Sequence, residues 1–195
     1  MSTARLETFS DGVFAIAATL LILDVKPEGE GSLTSQLLHA WPSYAAYGLA
    51  FATIGIMWIN HHQVFEQIDR IDRPFLVINV LFLMVIAFIP LPTRVLAAHL
   101  HHDATTAAFF YGLVNVFMAA TYSLLWFYAA RGRRLIAANA DQRAVSGITR
   151  AFLPGVPLYT FATLTAFISA WVAVSLFAAY ALFYVVESSL LGRAS

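Results

Sequence analysis

Three groups of side chains have the types and spacing to do chemistry. The first is Arg5, Ser10 and Asp11, which lie in the opening part of an otherwise apolar run ending at Asp24. Moving a carboxylate toward hydrocarbon costs roughly 3 kcal/mol or more, so Asp11 must face protein or water and have a partner. The second group is Trp58-Ile-Asn-His61-His62, which closes another apolar run. Its indole N–H and two imidazoles can donate to Ser10 or Asp11. An acid beside histidines within a membrane reads either as a structural network or as a proton relay. The third group is His99-Leu-His101-His102-Asp103. These are zinc-ligand types, but without a second ligand cluster the stretch reads as an interfacial turn and no metal is expected. His39 falls at the same surface, where zinc or protons could modulate the protein.

The elements that carry these groups belong to a bilayer. Of 195 residues, 60% are hydrophobic and 11% charged, and mean hydropathy is +0.74, whereas about 25% of residues in soluble domains are charged. At about 20 residues per crossing, the chain is one membrane domain, residues 1–195, with short loops. Zero formal net charge gives no reason to expect a nucleic-acid partner. The lack of cysteine excludes disulfides, thiolate metal sites and cysteine nucleophiles. The first run is too long for a signal-peptide core, is interrupted by Ser10 and Asp11, and lacks a cleavage motif, so it reads as a retained helix.

The predicted fold is all-α, with six transmembrane helices at about 5–24, 40–64, 74–98, 105–130, 147–168 and 170–188. The run from Gly147 to Val186 would reach roughly 60 Å as one helix, twice a hydrocarbon core, so a turn is expected near Ser169. Pro27 and Gly29 follow the first helix, Pro42 and Pro74 open the second and third, and Arg131-Gly-Arg-Arg134 closes the fourth. Pro90 and Pro92 should kink or end the third helix, and Pro154 and Pro157 should distort the fifth.

With six crossings, one side holds Arg5, Arg70, Arg73, Arg131, Arg133, Arg134, Arg143, Arg150 and Arg193. The other holds Lys26 and Arg94, with Asp24, Glu28 and Glu30. The positive-inside rule then places both termini in the cytoplasm of a multi-pass cell-membrane protein.

On the first helix, Phe9, Ile16 and Leu23 fall within about 20° of one another, with Gly12 and Leu20 close by and Thr19 about 60° away. Ser10 and Asp11 point away from this stripe, toward neighbouring helices. Such a stripe either packs or meets lipid. Alternatively, several copies surround an axis, so that Ile16, Leu20 and Leu23 form an apolar constriction that gates by dewetting and Thr19 offers oxygen ligands. No Thr-Val-Gly-Tyr-Gly-type run exists, so a carbonyl-lined filter is absent and only weak ion discrimination is expected.

The pattern Arg5-x-x-x-Phe9-Ser10-Asp11, continued as Gly-Val-Phe-Ala-Ile-Ala-x-Thr-Leu-Leu, resembles the signature of the prokaryotic relatives of the endolysosomal potassium channel called transmembrane protein 175. The resemblance implies a potassium-permeable cation channel, weakly selective over sodium, built as a homotetramer of single-repeat six-helix chains. Helix one would line its pore, with the constriction on Ile16, Thr19 or Leu20, and Leu23. It also implies that Arg5, Phe9, Ser10 and Asp11 form a structural network, joined here by Trp58, His61 and His62. The partners expected are other copies of the chain, membrane lipid and permeant potassium, with no cofactor.

A rival reading is a proton-coupled secondary transporter in which Asp11 titrates with His61 or His62. An enzyme is not expected, because no complete reaction centre is present. The arginines from Arg131 to Arg150 set topology or meet anionic head groups. Asn79, Asn115, Thr121, Ser123 and Ser175 are expected to make helix-to-helix hydrogen bonds. Glu187 can reach the interface.

Overall fold

Proline and glycine set several of the helix boundaries. The computed structural model describes residues 3–27 and 30–191, with side chains as far as residue 184. The expectations placed on Glu28, Gly29 and Arg193, and on the side chain of Glu187, lie outside the described residues.

Helix α1 (Thr3–Leu20) tightens into a 3-10 turn, Leu21–Asp24, before Pro27. A short α2 (Leu33–His39), capped by the Ser32 hydroxyl, leads into α3 (Trp41–Glu66), with Pro42 in its first turn. That position wastes no hydrogen bond, since the first amides of a helix have no partner within it. Helix α4 (Arg73–Phe88) is capped by the Asp72 carboxylate, which accepts from Phe75 N–H at 3.0 Å, and carries Pro74 in its first turn. At Ile89 the helical pairing is interrupted and resumes as α5 (Pro90–His99), because a proline within a helix removes a donor and crowds the preceding turn. Helix α6 (Ala104–Ala130) ends in a short 3-10 turn, where Gly132 has φ of 61°.

The fifth expected segment differs from the sequence reading. Residues 147–168 do not form one spanning helix. They are divided between α7 (Gln142–Phe152) and α8 (Gly155–Thr165), and the chain breaks at Leu153 and Pro154. At 1.5 Å per residue, α8 is about 16 Å long, half a hydrocarbon core. A turn over 166–169 precedes α9 (Ala170–Leu191). Four helical stretches have the length and apolar composition to cross a membrane: Thr3–Asp24, Trp41–Glu66, Arg73–His99 and Ala104–Arg133. Helix α9 is a further apolar helix.

The core centres on α6, whose Tyr111, Met118, Leu125 and Trp126 are fully buried. Helices α4, α5, α8 and α9 pack around it, and α1 packs against α3 and α4. Helices α6 and α8 approach closely at Gly112: a Cβ there would collide with Thr163 Oγ1 and lie 2.8 Å from Phe177 Cζ. Small residues allow such approaches between membrane helices, where dispersion and hydrogen bonds drive association.

The loops sort the charges. Asp69 N–H donates to Leu135 O at 3.1 Å, and Ile68 bridges Ile136, so the loops carrying Arg70, Arg73 and Arg131–Arg134 share one end of the bundle. Arg94 and Asp24 pair at 3.6 Å in another region, where Lys26, His39 and His101 line a common cavity with them.

Candidate pore helix and its polar anchor

Helix α1 has two opposed faces, set by which residues recur every three or four positions. Leu6, Ser10, Phe14, Ala17 and Leu21 are buried against α3 and α4. Phe9, Ile16, Leu20 and Leu23 lie on the outside, 56%, 62%, 43% and 64% exposed. Thr19 is also exposed, and its hydroxyl donates inward to Ala15 O at 2.9 Å or Ile16 O at 3.0 Å. The proton is thereby engaged, and the oxygen lone pairs remain free to face a cation.

The 3-10 turn changes the angles expected for a uniform α-helix. Residues three apart eclipse in a 3-10 helix, which brings Leu23 into line with Leu20. Leu20 and Leu23 then share one line, with Ile16 about 40° from it and steps of about 6 Å between the three.

The buried face carries the polar anchor. Ser10 Oγ donates to Leu6 O at 2.8 Å and accepts from Asn79 Nδ2 at 3.1 Å. Asn79 Oδ1 lies 3.0 Å from His61 Nε2, so that nitrogen carries the proton. This chain of bonds ties α1 to α4 and α4 to α3, and all three side chains are buried. Aromatic rings hold the imidazole: Phe65 stacks at 4.3 Å, Phe82 at 6.0 Å, and Phe14 meets it edge-on at 5.5 Å.

Asp11 diverges from Ser10. The two do not point together into the bundle: Ser10 is buried, while Asp11 is exposed and accepts from Trp58 Nε1 at 2.8 Å. His61 meets Ser10 only through Asn79, and His62 faces outward, 3.5 Å from Glu66. No histidine hydrogen-bonds Asp11 among the described residues. Arg5 and Phe9 are exposed, and the Arg5 side chain has no hydrogen bond or ion pair with another described residue.

Among the other polar side chains, Asn79 bridges helices. Asn115 and Thr121 instead bond within α6, to Tyr111 O at 2.9 Å and Phe117 O at 2.8 Å. Ser123 is part-buried without a partner among the described residues, and Ser175 is exposed. His99 bonds its own helix at Val95 O, while His101 lies 6.2 Å from the rings of both Trp41 and Trp171. The histidines are therefore dispersed, and no group of three or more metal-ligand residues gathers among the described residues.

One polar cluster escaped the sequence reading. Asp72 caps α4, accepts from Tyr128 Oη at 2.7 Å and pairs with Arg134 at 3.1 Å, stapling the start of α4 to the end of α6. Partial burial raises the Asp72 carboxyl, but the hydrogen bonds from Tyr128, Phe75 and Arg134 and the guanidinium charge outweigh it and hold the group below its usual range. The cap signal Asp72-Arg-Pro74 was visible in the sequence. The partners, more than fifty residues away, were not.

With this geometry in place, comparison with known proteins places the chain. A family model described as the endosomal/lysosomal potassium channel TMEM175 matches residues 5–90, which hold α1, α3, α4 and every member of the polar anchor. A potassium channel of Chamaesiphon minutus is 41% identical over 193 residues, covering 96% of this chain and 95% of its own. The chain belongs to the TMEM175 family. Another TMEM175 relative, a potassium channel of Streptomyces collinus, is 43% identical over 187 residues, covering 93% of this chain and 91% of its own. The crystal structure of a lysosomal potassium-selective channel TMEM175 homolog from Chamaesiphon minutus superposes with a TM-score of 0.87 at 38% identity, covering 95% of this chain and 97% of that one. The Bos taurus endosomal/lysosomal proton channel TMEM175 is 41% identical over 102 residues, 47% of this chain and 21% of that protein. These relatives carry channel names, not enzyme names.

Proposed function

We propose that this chain is the subunit of a potassium-permeable channel in the cell membrane, weakly selective over sodium, in which four copies surround an axis with α1 innermost. The observation that carries the reading is the outward apolar stripe of Ile16, Leu20 and Leu23, backed by the buried Ser10–Asn79–His61 chain that fixes the helix's rotation. Family membership, shared with proteins named potassium channels over nearly their whole length, supports the ion.

In this arrangement each apolar position repeats as a ring. Water leaves a narrow apolar ring readily, and ions then face the cost of shedding hydration. The rings of Ile16, Leu20 and Leu23 form the constriction, and Thr19 oxygens offer polar contact beside it. Selectivity rests on side chains and width, which gives modest discrimination. The arginine-bearing loops face the cytoplasm with both termini, as the positive-inside rule favours. Two crossings beyond the four long helical stretches are supplied by α9 and by the broken segment that contains α8.

Planar-bilayer recordings of Ile16→Asn and Leu23→Asn test the reading. Polar rings hydrate the constriction and raise potassium current. Unchanged conductance in both variants would overturn α1 as the pore helix.

A further inference from the structure

We propose that a cavity walled by α3, α6, α7 and α8, with Tyr184 of α9, binds an anionic phospholipid, with Arg143 and Arg150 at the adjoining edge of α7 holding its phosphate and Asn60, Gln63 and Ser123 donating to its ester oxygens.

Helix α7 is amphipathic. Thr149 Oγ1 accepts from Trp126 Nε1 at 3.0 Å and Phe152 packs 4.7 Å from the Tyr122 ring, so this face docks on α6. Arg143 and Arg150 lie within about 20° of each other on a different face. Both are exposed, and neither they nor Arg131 has a hydrogen bond or ion pair through its side chain with a described residue. The neighbouring Arg133 and Arg134 are engaged, by Gln142 and by Asp72. Uncommitted positive charge therefore remains along one edge of α7.

Beside that edge is a cavity of about 270 Å³. Its walls are mainly apolar, including Met57, Ile148 and Phe152, but they also carry Asn60 and Gln63, one turn apart on α3, and Ser123 on α6. All three polar side chains are part-buried and have no hydrogen bond with another described residue. Gln63 lies about 5 Å from the α3 terminus and Asn60 about 9 Å. Measured from that terminus, Gln63 falls within a polar layer roughly 5–7 Å thick on each side of the hydrocarbon, and Asn60 falls a little below it.

The order of chemistry is cation, neutral donor, apolar floor, matching phosphate, ester carbonyl and acyl chain. Basic pockets between membrane helices take acidic head groups on this principle. A free phosphate would satisfy only the outer part. The site does not depend on ion conduction.

The test uses the full chain purified from equimolar phosphatidylglycerol and phosphatidylcholine, washed with phosphatidylcholine-loaded detergent, with retained lipid read by native mass spectrometry. The wild type keeps phosphatidylglycerol in preference, and R143Q/R150Q loses about tenfold or more of it. Gln63→Leu and Ser123→Ala lose less, with melting temperature and assembly size intact. Arg94→Gln, in another region of the bundle, retains the lipid. Equal retention of both lipids, or undiminished phosphatidylglycerol in R143Q/R150Q, overturns the proposal. So does displacement by millimolar inorganic phosphate, which would mark a free-anion site. The chain has no cysteine, so Ala151→Cys places a single thiol at the cavity, and oxidation to linked pairs would show another copy seated there and likewise overturn the proposal.

Discussion

Trp58 Nε1 donates to Asp11 Oδ1 across 2.8 Å, joining α3 to α1 on the exposed surface of the chain. Trp58→Phe keeps an apolar ring and deletes the donor. A hydrogen bond to a charged group contributes about 1.5–3 kcal/mol, and the exposure of both partners favours the lower end. The expected result is a lower melting temperature in detergent, with Asp11→Asn milder because the amide oxygen still accepts. Equal melting of Trp58→Phe and wild type would show that the bond contributes nothing.

Asn79 is the hub of the buried chain, so its loss leaves the His61 Nε2–H unpaired and removes a donor from Ser10. Asn79→Leu strands His61, at about 1–3 kcal/mol, while Ser10 keeps its bond to Leu6 O. Ser10→Ala alone removes one member and costs less. A double-mutant cycle of Ser10→Ala and Asn79→Ala in chemical denaturation should give a coupling of about 0.5–3 kcal/mol. Strict additivity would contradict the network.

Gly112 marks the closest approach of α6 to α8. Gly112→Ala forces the helices apart or displaces Thr163, at about 1–3 kcal/mol for overpacking. Thr163→Ala in the same chain removes the Oγ1 collision but leaves the Thr163 Cβ position 2.9 Å from the new methyl, so rescue is partial. Thermal unfolding of the wild type and the two variants checks this order.

Asp72 gives a pH dependence with a defined sign. Its folded pKa lies below the unfolded value, so the carboxylate contributes stability that is full above the unfolded pKa, near 3.9. That contribution is lost as pH falls from there through the folded pKa. The difference in melting temperature between wild type and Asp72→Asn should be constant near neutrality and shrink in acid. A difference that grows on acidification would reverse the assigned sign.

Boundaries were legible wherever backbone chemistry dictated them. Pro42, Pro74 and Pro90 act through missing amides and a fixed φ, and these effects are local. Antiparallel succession likewise brings the end of α3 to the start of α1, which is why Trp58 meets Asp11. The rest depended on long-range packing. Nothing around Asn79 in its apolar run says that it bridges Ser10 to His61, because that requires the rotation of three helices at once. The split of residues 147–168 was signalled by Pro154, yet hydropathy ran through it unbroken. The 3-10 ending of α1 had no sequence marker, so the angular position assigned to Leu23 assumed a uniform helix.

That ending makes the tip of α1 a screw thread. Rewinding Leu21–Asp24 to ordinary α pairing would retract the tip by about 2 Å and sweep Leu23 sideways by roughly 60°, with Leu20 left in place. No rotamer need change for the two leucines to part. Asp24, the last residue of that turn, pairs with Arg94 at 3.6 Å, so the rewound tip would have to carry or break that bond.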